Sequence, residues 1–158
     1  MGNDEAWNSV LSARVGRLAT VTPEGRPHVV PFVFALVQRG TGRVAYWAVD
    51  RKPKRSTYLK RLRNIEANPA VAFVVDGYDE DWERLWWVRC AGTARVVTDE
   101  AERRDALTAL AEKYPQYRED PPGGPVVAID IDTIDRWEGT SSRPHRFDSG
   151  AIWGKDSL

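Results

Sequence analysis

The sequence predicts a mainly β domain of the α+β class: six antiparallel strands forming a small barrel, with two or three helices inserted. Three observations predict it. Strand-length runs rich in β-branched and aromatic residues recur along the chain, separated by Gly- and Pro-containing turns. The first connections are too short for the crossover that parallel strands need, so these neighbours must pair antiparallel. The segments with helical periodicity fall between strands rather than alternating with each of them, which disfavours a parallel βαβ sheet.

The elements follow in order. Glu5 to Ala13 predicts a short helix with Trp7, Val10 and Leu11 on one face, capped by Asn3 or Asp4. Gly16 to Thr22 is the first strand, and Pro23-Glu24-Gly25-Arg26 is a tight turn. Pro27 to Val37 is the returning strand, apolar at nearly every position, so both faces are expected to be covered. Proline cannot donate to a ladder, so Pro31 should mark a bulge or a locally free edge. Gln38 to Gly42 is a second turn and Arg43 to Val49 a third strand. Ser56 or Thr57 caps a helix running to Ala67, with Tyr58, Leu59, Leu62 and Ile65 apolar, and Asn68-Pro69 stops it. Ala70 to Val75 is the fourth strand, Gly77 to Glu83 an acidic loop, and Leu85 to Val97 a long fifth strand. Thr98 or Asp99 caps a helix through Lys113, Tyr114 to Gly124 is a loop, and Val126 to Asp132 is the sixth strand. Residues 1–158 are read as one domain, with the polar tail 139–158 as loop or partly disordered chain.

Charge and cysteine content exclude several classes of function. The chain has 23 basic and 23 acidic residues and a formal net charge of zero, so it lacks the basic excess of a nucleic-acid binder. Any anion site must be local. The single cysteine, Cys90, lies in an apolar run and reads as a buried structural thiol. It allows no internal disulfide, which points to a reducing, cytoplasmic location. The N-terminus has no basic and apolar leader pattern, and no apolar run approaches the ~20 residues that span a bilayer, so no membrane partner is expected. Two distant histidines and one cysteine give no zinc spacing. The acidic run Asp76, Asp79, Glu80, Asp81 and Glu83 lacks the alternate spacing of a calcium loop.

Two features carry possible chemistry. Arg51, Lys52, Lys54 and Arg55 surround Pro53 between the end of a strand and the start of a helix. Helix N-termini offer free N–H groups and partial positive charge, so the run reads equally as a phosphate site or as a solvated basic loop. The seven tryptophans, four of them at positions 47, 82, 86 and 87, read either as core and interface or as a wall for a planar ring. His28 stands at the head of an apolar strand. No nucleophile elbow, P-loop or dinucleotide-binding glycine pattern appears, so any chemistry would reside in a cofactor.

Several motifs match a known family. They are Leu18-Ala19-Thr20-Val21-Thr22-Pro23-Glu24-Gly25-Arg26-Pro27-His28-Val29-Val30-Pro31, Asp50-Arg51-Lys52-Pro53-Lys54, Leu62-Arg63-Asn64-Ile65-Glu66-Ala67-Asn68-Pro69, and Tyr78-Asp79-Glu80-Asp81-Trp82 with Leu85-Trp86-Trp87-Val88-Arg89. Across residues 9 to 138 the chain resembles the pyridoxamine 5'-phosphate-oxidase-like split-barrel flavoproteins, and within them the actinobacterial branch of deazaflavin (coenzyme F420)-dependent oxidoreductases. The resemblance implies an FMN-binding-protein-like split β-barrel homodimer with two cofactor sites at its interface. It implies that Lys52 and Lys54 hold cofactor phosphate, with Pro53, Arg55 and Ser56 nearby. It implies that the strand of His28, Val30, Pro31 and Phe32 lies along the ring, that Trp47 and Ala48 line the same pocket, and that Trp87 approaches from the interface. The reaction implied is hydride transfer between reduced deazaflavin and a small electron-poor substrate. Flavin mononucleotide (FMN) is the rival cofactor. A non-catalytic flavin- or deazaflavin-binding protein is the rival function.

Overall fold

The computed structural model describes residues 3–49, 55–141 and 143–148, the side chains of 55–59 and 148 excepted. The described elements are α1 (Asn3–Ser12), β1 (Gly16–Val21), β2 (Pro27–Phe32), β3 (Ala35–Arg39), β4 (Gly42–Ala48), α2 (Arg55–Ala67), β5 (Ala70–Gly77), a 3₁₀ turn (Trp82–Arg84), β6 (Trp86–Val96), α3 (Glu100–Lys113), α4 (Pro115–Glu119), β7 (Val126–Glu138) and β8 (His145–Asp148). The strands form one sheet in the order β2-β1-β5-β6-β7-β4-β3, with β8 added alongside β7, and every pairing is antiparallel.

Among the described residues the sheet has eight strands, against the expected six. The expected strand from Pro27 to Val37 breaks at Val33-Phe34, and its halves lie at opposite ends of the strand order. Two residues reach only a few ångströms, so the sheet must curl until its ends approach. Phe34 is fully buried at this crossing and has no strand neighbour for its backbone. The Tyr114 hydroxyl replaces one: it accepts from the Phe34 N–H at 3.2 Å and lies 3.0 Å from the Phe34 carbonyl. The expectation that both faces of this segment are covered also fails within the chain, since Val29 is 62% exposed. Pro31 pairs in continuous register with Arg17 on a strand that has only one neighbour, so it marks an edge and not a bulge.

The second extra strand lies in the polar tail, where the sequence predicts no strand. β8 pairs with residues Thr133–Arg136, and its Arg146 donates to the buried Asp135 at 2.7 Å. Phe147 packs against the main core. The loop expected from Tyr114 to Gly124 contains the one-turn helix α4, begun by Pro115, and the sixth strand runs on to Glu138.

The main core lies on the inner face of the sheet, where Leu18, Phe34, Trp47, Phe73 and Ile134 are buried together with Trp7 and Val10 from α1. Burying each such side chain contributes about 1.5–3 kcal/mol. Ala91 and Gly92 of β6 face Thr133 and Ile131, which leaves Asp132 of β7 as the extra residue of a bulge. A Cβ at Gly92 would lie 2.0 Å from the Asp130 carbonyl oxygen, so only glycine permits the approach. On the other face of β4, α3 is fixed by its N-cap, the Asp99 carboxylate accepting from Glu102 N–H at 2.8 Å, and by buried Ala106 and Leu110. Among the described residues no helix is long and apolar enough to cross a membrane.

Candidate functional site

The curl of the sheet brings the end of β2 close to the end of β4. A cavity of about 270 Å³ opens there, lined by Pro31, Phe32 and Val33 from one side, Trp47 and Ala48 from the other, Val15, and Arg61 and Tyr117 from α2 and α4. Four residues expected around a planar ring therefore share one cavity: Pro31, Phe32, Trp47 and Ala48. Phe32 and Trp47 are buried and form a fixed apolar wall. Ala48 keeps the wall open because its side chain is small.

Arg61 is the residue that sequence reasoning missed. Its guanidinium carbon lies 4.8 Å from the centroid of the Trp47 ring, within cation–π range. Arg61 Nε and Trp47 Nε1 are both buried, and neither has a hydrogen-bond partner among the described residues. Burial pulls the Arg61 pKa below its ordinary value, yet an arginine stays charged at any ordinary pH. Unpartnered buried donors cost about 1–3 kcal/mol each unless a ligand accepts from them. The helix pattern did hold a signal. Arg61 precedes Ile65 by four residues and so shares its buried face.

The other expected residues lie elsewhere. His28 and Val30 point to the inner side of β2, half-buried, and line no part of this cavity. His28 sits across from Thr20, and its pKa is lowered by burial and then by the charges of Lys60 and Arg61. Trp87 lines a separate cavity of about 460 Å³ on the outer face of β5, β6 and β7, with Tyr78, Trp86 and Trp137. Its ring stacks on Trp137 at a centroid distance of 6.4 Å. Arg51, Lys52, Pro53 and Lys54 lie outside the described residues, as do the side chains of Arg55 and Ser56. The backbone of Arg55 begins α2, so the basic run leads directly into the helix that carries Arg61.

Two other expectations concern groups away from the cavity. Cys90 is fully buried, and burial raises its thiol pKa far above the usual range, as befits a packing residue. The acidic loop is occupied by its own contacts. Asp79 and Asp81 accept from backbone N–H groups at 2.8 and 3.1 Å, and Arg84 lies within 4 Å of both carboxylates.

A family model described as pyridoxamine 5'-phosphate oxidase matches residues 4–138, from α1 to the end of β7. The chain belongs to the pyridoxamine 5'-phosphate oxidase family. A relative within reach of sequence comparison is the 5a,11a-dehydrotetracycline/5a,11a-dehydrooxytetracycline reductase of Streptomyces rimosus, 40% identical over 92 residues. That match covers 56% of this chain and 60% of the relative, so the chain spans less than two thirds of that enzyme. Among solved structures, a conserved hypothetical protein of Mycobacterium tuberculosis superposes with a TM-score of 0.70 at 21% identity, covering 89% of this chain and 86% of its own. A heme-binding protein of Mycobacterium smegmatis superposes with a TM-score of 0.69 at 19% identity, covering 92% of this chain and 57% of its own. At these identities the two structures establish the family's fold and nothing finer.

Proposed function

We propose that this chain is an oxidoreductase that uses deazaflavin coenzyme F420 to reduce a small electron-poor organic substrate. The observation that carries the reading is the cavity between the ends of β2 and β4, with its buried, unpartnered Arg61 Nε and Trp47 Nε1. Such a site fits a planar ring with hydrogen-bond acceptors on its rim. Bound there, the deazaflavin would supply the hydride carrier.

The chain's own residues bind, orient and exclude water. Phe32 and Trp47 provide an apolar wall. Arg61 supplies a positive charge held in place by the Trp47 ring, where a developing negative charge would be stabilised. Lys52 and Lys54, flanked by Pro53, Arg55 and Ser56, hold the cofactor phosphate at the start of α2. His28 and Val30 support the ring-facing strand from its inner side. In this reading two copies of the chain associate, and Trp87 of each borders the other's site. The aromatic cavity on the outer face and the exposed Val29 and Trp82 support such an apolar contact.

Titration with F420 and, separately, with FMN, followed by ring fluorescence, tests the reading. Tight binding of F420 is expected, and tight binding of FMN alone overturns the deazaflavin assignment. The double variant Lys52→Ala, Lys54→Ala should weaken F420 by roughly 2–5 kcal/mol, allowing about 1.5–3 for each charged hydrogen bond and some non-additivity. Unchanged affinity removes these lysines from the phosphate site. Sedimentation should give a dimer.

A further inference from the structure

A second cavity, of about 570 Å³, lies on the other flank of α2, between that helix and the β1–β2 turn. Three cations line it: Arg26 from the turn, and Lys60 and Arg63 from the helix. A single carboxylate, Glu24, lines it with them. Lys60 and Arg63 are three residues apart and so project from the same side of α2. Among the described residues none of the three cations forms an ion pair. Arginines elsewhere, such as Arg17, Arg89, Arg95 and Arg146, each face a carboxylate within 3 Å. In a chain of zero net charge, three converging unpaired cations are a local excess.

Both walls of this cavity are held firmly. The turn is closed by three hydrogen bonds: Thr22 N–H to the Arg26 carbonyl at 2.8 Å, Gly25 N–H to the Thr22 carbonyl at 2.8 Å, and Arg26 N–H to Thr22 Oγ1 at 3.0 Å. Gly25 supplies the positive φ of 81° that the turn requires. The helix is fixed to β1 by the buried Asn64, whose Nδ2 donates to Thr20 Oγ1 at 3.0 Å. The cations are thus presented from a preformed frame rather than from loose chain ends, and their mutual repulsion is relieved when an anion enters. The charge reaches inward too, since Lys60 contributes to the lowered pKa of His28.

We propose that this cavity is an anion site for a small ligand bearing two or more adjacent negative groups. Its volume exceeds what one phosphate would fill, and three donors with planar or ammonium heads suit a chain of oxyanions. Its lining is distinct in sequence from the basic run 51–55, which precedes the helix. The same anionic chemistry could come from a free metabolite or from an anionic extension of the cofactor in the neighbouring cavity.

The test uses inorganic tripolyphosphate as probe on the full chain, by isothermal titration calorimetry. In the Lys52→Ala, Lys54→Ala background, which removes the proposed cofactor-phosphate ligands, one molecule per chain should bind, with an affinity that falls steeply as salt rises. The triple variant Arg26→Gln, Lys60→Gln, Arg63→Gln should lose about tenfold or more in affinity, on the strength of charged hydrogen bonds discounted for exposure. Glu24→Gln should raise affinity by about twofold, since it removes the one opposing charge. On α3, Arg104→Gln should leave tripolyphosphate binding within about twofold. Equal affinity in wild type and triple variant overturns the proposal, as does an equal loss from Arg104→Gln, which would reveal unspecific attraction. Competition with F420 but not FMN would assign the anion to the cofactor, and competition with neither would assign it to an independent ligand. The binding measurement needs no cofactor, so it stands or fails apart from the deazaflavin reading.

Discussion

Arg95, facing α3, and Lys60, on α2, are both cations beside the same sheet, and their circumstances are opposite. Arg95 donates to Glu102 at 2.8 and 2.9 Å and to Asp130 at 2.7 Å. Glu102 in turn accepts from the Tyr46 hydroxyl at 2.7 Å, so a buried carboxylate is fully used. Burial and Glu102 push the Tyr46 phenol well above its ordinary pKa, and the Arg95 bonds hold Glu102 down at about 2. Among the described residues, the cations around α2 have no carboxylate partners. Arg61 rests on an aromatic ring, while Arg26, Lys60 and Arg63 face water across a cavity. The contrast separates charge that fixes an element to the sheet from charge left available for a ligand. A protein can retain unpaired cations at small cost on its surface, but a buried carboxylate must be satisfied.

Removing the charge on the α3 side should have the largest effect on stability. Glu102→Gln should lose about 2 kcal/mol at neutral pH in a urea titration, because the charged bonds from Arg95 and Tyr46 weaken together. The sign with pH follows from the depressed pKa. The carboxylate's contribution is present above its ordinary value of 4.5 and is lost as pH falls towards about 2, so the variant and wild type should converge over that window. A constant difference across it would break the contrast. A smaller loss, about 1 kcal/mol, is expected for Asp135→Asn, since its partners Arg89 and Arg146 are about half or more exposed. Burial pushes the Asp135 pKa up, but the Arg146 and Arg89 guanidiniums outweigh it and keep it below the usual value. Hydrogen exchange should quicken first in β8, which that carboxylate holds to β7. The smallest effect belongs to the α2 side. Lys60→Gln with Arg63→Gln should shift stability by no more than about 0.5 kcal/mol, in the stabilising direction, because a like-charge pair on one helix side is removed. A loss above 1 kcal/mol would mean that these cations serve the fold after all.

Much of the fold was legible because its signals are local. Asp99 caps α3, Asn68-Pro69 ends α2, and Gly25 turns β1 into β2, each through contacts a few residues apart. What escaped the sequence depends on distant partners. The break at Val33-Phe34 is stabilised by a hydroxyl on Tyr114, which no local pattern reveals. β8 forms because Arg146 and Phe147 find Asp135 and the core, although its own composition reads as loop. The candidate site divides in the same way. Pro31, Phe32, Trp47 and Ala48 came from the resemblance to the family, and they share a cavity. Arg61 did not, because a cation in a helix reads as a solvated residue until the ring beneath it is seen.

The connectivity also dictates an order of assembly. β3 and β4 form a hairpin early in the chain, yet the other neighbour of β4 is β7, which begins only at Val126. β7 also pairs with β6 and with β8. While the chain is still being synthesised, Val44, Ala45 and Tyr46 present an open, apolar strand edge with nothing to close it. That interval, before β7 emerges, is when association with another unfinished copy would compete most strongly with folding.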